Sequence, residues 1–239
     1  MSNYSDAVLA NTPLGYWRLG ESGGSTFADS SGNGHTLTFS AGVTTGADGP
    51  LRDGNAAATF DGTANAKAVT SSGVNTWFGD TTLSFEAWVY NAAWEAATHE
   101  MVISLGAAHY LSVNLAKPIM ALTLSSGLKT NQATAAISAG AWHHLVTTWA
   151  SGEPLRLYVD GAEVVGGTPA AATGTITSSA NIFVGCLGGA SLFTSGLIDE
   201  VALYRSQLTA AQVLTHFRAG TPATPLSAFP WALIGTMEG

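Results

Sequence analysis

The sequence has a single cysteine, Cys186, so no internal disulfide framework can form. That cysteine sits in the apolar run NIFVGCL (181–187), the setting of a small core residue and not of a nucleophile. Basic residues are also scarce. Lys and Arg number 8 against 16 Asp and Glu, and they stand singly from Arg18 to Arg218. No positive stripe exists to neutralise a row of phosphates, which argues against nucleic acid as a partner. No stretch approaches the roughly 20 apolar residues of a membrane-spanning helix. The opening MSNYSDAVLANTPLGYW has no charged segment followed by an apolar one, so no cleaved export signal is expected and the chain is made in the cytoplasm. Repeats with a period of 20–50 residues are absent as well.

What fills the chain instead is small and apolar. Only 10% of its 239 residues are charged and 46% are hydrophobic, with Ala, Gly, Ser and Thr making up much of the rest. That length can bury a sizeable core, as one large β domain or two small ones. The mixture suits a turn-rich β protein and not a disordered chain. The acidic balance fits solubility, cation binding or a neutral ligand such as a glycan.

Short strand-like runs recur between Gly, Asp, Asn and Ser clusters, the pattern of a two-sheet sandwich. GYWRL (15–19), HTLTF (35–39), AAATF (56–60) and AKAVT (66–70) come first. TLSFEAWVY (82–90) then alternates, with Leu83, Phe85, Ala87 and Val89 on one face and Ser84, Glu86, Trp88 and Tyr90 on the other. Both faces carry large apolar groups, so this is expected to be a central strand. MVISL, YLSVNL and IMALTL (101–124) read as a meander. HHLVTTW (143–149) and LRLYVD (155–160) follow, with a tight turn at Asp160-Gly161. NIFVGCL and GLIDEVALY (196–204) close the set, about a dozen strands in all.

One helix is expected near the C-terminus. Thr209 and Gln212 form a capping box, Val213, Leu214 and Phe217 an apolar stripe, and Gly220 and Pro222 the stop. YSDAVLAN (4–11) is a candidate second short helix. Beyond Gly220 the character changes to TPATPLSAFPWALIGTMEG, a Pro-rich linker with an apolar cluster of Phe229, Trp231, Leu233 and Ile234. Such a segment either folds back on its own domain or docks on a partner.

Five ordered blocks carry a family resemblance: YWRLGESGGSTFADSSGNGHTLTF, ATFDGTANAKAV, LSFEAWVY, WHHLVTTWASGEPLRLYVDGAEV and GLIDEVALYRSQLTAAQV. Together they resemble the laminin G-like, concanavalin A-like jelly-roll domain, in the subgroup common in bacterial surface proteins and phage virion proteins. The opening YSDAVLANTPLGYWRLGE is similar to the start of such domains in phage structural proteins. The resemblance implies an all-β fold, a two-sheet antiparallel jelly-roll sandwich over residues 1–220 with one short C-terminal helix, and 221–239 as a separate extension.

The resemblance also implies one structural Ca²⁺ at a sandwich edge. The matching positions are Asp29 in ADSSGNG and Asp199 in LIDEV, with Asn33 able to add an amide oxygen to a set of turn carbonyls. The alternative is that Asp29 caps a turn and Asp199 is a strand-edge acid. For glycans, the candidate stacking residues are Trp88, Tyr90 and Trp94, with Trp77 preceding them, while Trp17, Trp142 and Trp149 are assigned to the core. Glycoside hydrolysis of the retaining kind needs two carboxyl groups about 5 Å apart. Glu86 stands alone, and adjacent Asp199 and Glu200 on a regular strand face opposite ways, so the pair is missing. His143 and His144 are likewise neighbours on a strand and cannot share one metal, leaving one half-buried and the other solvated. A zinc site assembled from distant strands is a remote alternative.

The expected function is therefore a non-enzymatic virion structural protein, a capsid decoration or tail component made in the host cytoplasm. It is expected to form homo-oligomers, to attach to other virion proteins through its C-terminal extension, and to offer a jelly-roll face to cell-surface glycans. The alternatives are an adhesion module of a bacterial surface protein and, with the carboxylate pair missing, a glycoside hydrolase.

Overall fold

The computed structural model describes residues 3–70, 79–94, 99–164, 166, 170–177 and 181–221. The chain opens with helix α1 (Asn3–Ala10), then β1 (Gly15–Trp17), β2 (Thr26–Phe27), β3 (Leu37–Phe39), β4 (Val43–Asp48), β5 (Ala56–Asp61) and β6 (Ala68–Thr70). The middle holds β7 (Thr82–Tyr90), β8 (His99–Leu105), β9 (His109–Asn114), β10 (Lys117–Leu124) and β11 (Gly127–Gln132). It ends with β12 (Trp142–Ala150), β13 (Arg156–Val159), β14 (Ala162–Glu163), β15 (Ile182–Val184), β16 (Ser195–Tyr204) and helix α2 (Ala210–Gly220).

Among the described residues these strands form two eight-stranded antiparallel sheets. The first runs β14-β13-β12-β7-β16-β5-β4, with β1 also paired to β16; the second runs β11-β10-β9-β8-β15-β6-β3-β2. This is the expected jelly-roll sandwich. β7 is central, between β12 and β16, as its two apolar faces require. The short edge strand β4 has no run of apolar residues and was not legible as a strand; it alternates buried Val43 with exposed Thr44.

The main core lies between the sheets. Phe85, Leu83 and Ala87 of β7 meet Leu145 and Trp149 of β12, Leu155 and Leu157 around β13, and Leu105, Leu111 and Met120 of the second sheet. Trp17 and Trp149 are fully buried, and each indole N–H finds a carbonyl, His35 O at 2.6 Å and Ala172 O at 2.9 Å. Cys186 is a buried free thiol, as its apolar run predicted. Asp160 and Gly161 both take positive φ, 51° and 78°, and close the β13–β14 hairpin in the handedness that matches strand twist.

The C-terminal helix and the candidate second helix at 4–11 are both present, as α2 and α1, and they pack together on the outer side of the first sheet. The Thr209–Gln212 capping box is present in full. The buried face of α2, however, is Val213, His216 and Gly220, with Leu214 only half-buried. A Cβ on Gly220 would lie 2.7 Å from Trp88 Cζ2, so this glycine permits the close approach of helix to sheet. No helix among the described residues is long and apolar enough to cross a membrane.

Candidate functional site

Strand register fixes what the outer face of the first sheet presents. From one end, the rows across β7 and β12 are Ser84 with Thr148, Glu86 with Val146, Trp88 with His144, and Tyr90 with Trp142. The helices cover the Glu86 and Trp88 rows, and the segment leading into α2 bonds Ser84 through Ser206 O and Leu208 N. Trp88 is 3% exposed, stacked at 6.0 Å on Phe217 of α2 and packed edge-on to Tyr4 of α1. This corrects the expectation that Trp88 stacks on sugar: the helices take its face.

Tyr90 lies one row beyond Gly220 and remains partly exposed. Beside it is Trp142, ring centroids 5.8 Å apart and planes at 49°. Trp142 was expected in the core; it is instead half-exposed on the outer face, packed against the edge of the helix-covered cluster. Trp94 is separate. Its indole donates to Ser138 O at 3.0 Å and its ring packs against the main core. Of the candidate aromatics, then, Tyr90 stays partly exposed, beside Trp142, while Trp88 is covered. Trp77 lies outside the described residues, as do Phe229, Trp231, Leu233 and Ile234.

Beneath the helices is a polar hub that the sequence did not reveal. Glu86, fully buried, accepts from Tyr4 Oη at 2.8 Å, His144 Nε2 at 2.8 Å, Tyr204 Oη at 2.7 Å and His216 Nδ1 at 3.0 Å. Burial opposes charge on this carboxyl. The facing His216 ring and the hydrogen bonds from His144 and His216 outweigh it and hold Glu86 well below the usual carboxylate range. Burial likewise opposes charge on His216, but the Glu86 carboxylate raises it above the ordinary histidine value. His216 Nε2 meets the side-chain amide of Asn11 at 2.8 Å, and Asn11 is also bound by Gln212. His144 Nδ1 is buried with no partner, so that ring donates through Nε2 alone.

His143 and His144 do face opposite ways, but neither is solvated. His144 is 0% and His143 9% exposed, the latter held by Asp160 Oδ2 at 2.8 Å and Ser138 Oγ at 2.9 Å. The Asp160 bond raises its pKa above the ordinary value although burial opposes this. A solvated histidine was expected because the sequence gives no sign of what covers the outer face.

The calcium set does not assemble. Asp29 accepts three backbone N–H groups, from Tyr16 at 3.0 Å, Ser31 at 2.9 Å and His35 at 2.8 Å. Those donors already use both its oxygens, so it is the turn-capping acid of the alternative reading. Asn33 points its amide N–H at Leu14 O, 3.0 Å away, and lines a cleft of about 410 Å³ with Leu9, Thr12, Pro13 and Arg205. Asp199 shares no hydrogen-bond partner with either. Among the described residues no three His, Cys, Asp or Glu side chains are placed to hold a metal ion. The three residues do not fit the ion.

Asp199 and Glu200 also depart from expectation. A β-bulge follows Asp199, with Glu200 at a φ of 52°, so alternation is broken. Both carboxylates reach one amide: Asn55 Nδ2 lies 3.2 Å from Asp199 Oδ1 and 3.1 Å from Glu200 Oε1. Arg18 donates twice to Glu200, through Nε at 3.0 Å and Nη2 at 2.9 Å, and Tyr16 Oη donates to its other oxygen. Asp199 Oδ2 is buried with no partner. Burial, then the charge of Glu200, raises the Asp199 carboxyl far above its usual range, and burial raises Glu200 to about 7. A carboxylate pair exists after all, but both members are 0% exposed, as is Glu86. None of the three is open to a sugar.

Solved structures share this architecture. The binding domain of Paraclostridial Mosquitocidal Protein 1 superposes with a TM-score of 0.67 at 15% identity, over 87% of this chain and 52% of that one. The botulinum neurotoxin serotype G binding domain gives 0.69 at 15% identity, over 86% and 50%. The botulinum neurotoxin serotype D ligand binding domain, in complex with N-acetylneuraminic acid, gives 0.68 at 10% identity, over 90% and 52%. The chain spans about half the length of each, and at these identities the likeness is one of fold. No curated protein matches the sequence. The model of the concanavalin A-like lectin/glucanases superfamily matches residues 61–214, from the end of β5 into α2. The chain belongs to that superfamily.

Proposed function

We propose that this domain is a non-enzymatic, lectin-like glycan-binding module whose contact surface is the open row at the end of β7 and β12. The observation that carries the reading is the Tyr90–Trp142 pair, two aromatic rings side by side and partly exposed at the edge of the helix-covered face. Aromatic faces bind the C–H surfaces of sugar rings, and adjacent rings at this spacing meet adjacent sugars. The burial of Glu86, Asp199 and Glu200 supports binding without hydrolysis. The serotype D ligand binding domain, about half of which this chain matches in fold, is in complex with N-acetylneuraminic acid, and that likeness supports a sugar-binding reading. A glycan array probed with the purified chain tests the reading, with Trp142→Ala expected to abolish the signals. Signals unchanged in that variant refute the site.

We further place the module on a virion, as a capsid decoration or tail component that forms homo-oligomers. The support is the phage-like opening block, which builds α1 and β1, together with the apolar segment containing Phe229, Trp231, Leu233 and Ile234 as the attachment to other virion proteins. Mass spectrometry of purified particles, with and without deletion of 222–239, tests this. Recovery in a bacterial surface fraction instead makes the module an adhesion domain.

A further inference from the structure

We infer that the ligand of this surface is an uncharged, extended oligosaccharide lying across the strands, and not a sialylated or sulfated glycan. The inference rests on the glycan-binding reading and narrows it.

The open row is longer than the aromatic pair. Trp142 on β12 is in register with Tyr90 on β7, Tyr90 with Leu197 on β16, Leu197 with Thr59 on β5, and Thr59 with Thr44 on β4. All five side chains share the outer face, because their neighbours Val89, Ile198, Phe60 and Val43 are buried in the core between the sheets. Four are partly exposed and Thr44 is exposed. With strands about 4.8 Å apart, four gaps make a path of roughly 19 Å perpendicular to the strands. One pyranose in an extended chain advances by about one strand spacing, so the path accommodates about four sugars. Aromatic faces lie at one end, an apolar leucine in the middle and two threonine hydroxyls at the other, a sequence suited to a polyhydroxylated chain with alternating C–H and O–H edges.

Charge decides between neutral and anionic glycans. The row contains no Lys, Arg or His. On the same face, two residues beyond Thr59 and Leu197, Asp61 stands opposite Ser195. The Asp61 carboxylate is exposed and accepts from Thr63 Oγ1 at 2.7 Å and Thr63 N at 2.9 Å, bonds that lower its pKa and keep it charged. An acidic sugar laid along the row meets this carboxylate with no cation among the row's own side chains to offset it, while a neutral sugar can donate a hydroxyl to it. Other cations of this side are engaged: Arg18 with Glu200 and Asp53, Arg156 with Glu163, Arg205 with Asp80. Arg52 and Arg218, both exposed, lie outside the row.

The test is titration calorimetry of the whole chain with neutral β-linked oligosaccharides of one to six units, and with sialylated and sulfated counterparts. Affinity is expected to rise with each unit to about four and then level, with at least a tenfold preference for the neutral series. Tyr90→Ala and Trp142→Ala are expected to lose tenfold or more while circular dichroism still shows the folded sandwich, whereas Leu128→Ala, exposed on the second sheet, loses nothing. Asp61→Lys is expected to narrow the preference several-fold by admitting acidic glycans. Tighter binding of sialylated or sulfated glycans, or a monosaccharide as good as a tetrasaccharide, overturns the inference and leaves the glycan-binding reading standing. Silence across every glycan overturns both.

Discussion

Replacing Glu86 by alanine tests the account of how the helices are held. In the native domain one fully buried carboxylate satisfies two histidine N–H groups and two tyrosine hydroxyls, contributed by α1, β12, β16 and α2. Removing it takes from four buried donors the acceptor they share. Breaking a buried, hydrogen-bonded ion pair from one side costs about 3–5 kcal/mol. A domain of this size loses roughly 2–4 °C of melting temperature per kcal/mol, so Glu86→Ala is expected to lower Tm by roughly 6–20 °C. The loss should be local first, seen as faster amide hydrogen exchange in α1 and α2 than in β7–β12. Tyr204→Phe removes one donor and leaves three, and is expected to cost only about 1 kcal/mol. His216→Ala in the Glu86→Ala background should cost less than it does alone, because the two share one network. Urea denaturation supplies each number. If Glu86→Ala loses under about 1 kcal/mol, or adds to His216→Ala without coupling, the hub does not hold the helices and the reasoning fails.

Stability should fall as pH rises from 5 to 8. The raised Glu200 carboxyl binds its proton more tightly when folded, so its contribution is complete below the usual value of 4.5 and lost as pH climbs through about 7; Asp199 and the raised His216 act in the same direction, and Glu200→Gln should flatten the melting profile. Glu86, whose pKa is depressed, contributes above the usual carboxylate range and should cost the domain its helix docking only in strong acid. Gly161→Ala places a Cβ 2.8 Å from Phe217 Cδ1 at a φ of 78°, and is expected to destabilise by about 1–3 kcal/mol in urea melts, loosening both hairpin and α2. Asp29→Ala strips three amides of their acceptor and should cost about 1–3 kcal/mol equally in calcium and in EGTA; a loss confined to the calcium sample restores the metal reading.

Much of the scaffold was legible because it rests on local rules. Period-2 alternation located β7, β12 and β13, Asp160-Gly161 marked its turn, and Thr209 with Gln212 announced α2. Two kinds of feature were not. The bulge at Glu200 puts a non-glycine residue in the left-handed region with no local signal, and it alone brings two adjacent carboxylates together. The exposure of each tryptophan was the other. Alternation correctly put Trp88 and Tyr90 on one face, but which outer-face aromatics are covered depends on where two helices at opposite ends of the chain come to rest. His216 and Glu86, the latter read as a lone acid, become informative only when paired across 130 residues.

That pairing also explains why the open row lies where it does. An outer face bearing Glu86 and His144 would be ordinary in water, but once α1 and α2 cover it a charged carboxylate there needs partners, and Glu86 has four. Sliding α2 along the sheet by one row would move His216 off Glu86 and leave a charged group buried and unpaired, a larger penalty than the burial of Tyr90 and Trp142 could offset. Gly220 sets the same limit sterically, since only a residue without Cβ can sit on Trp88. The helices therefore stop where the hub and the glycine hold them. Among the described residues, the row from Trp142 to Thr44 is left uncovered by the helices because of a polar network that lies outside the row.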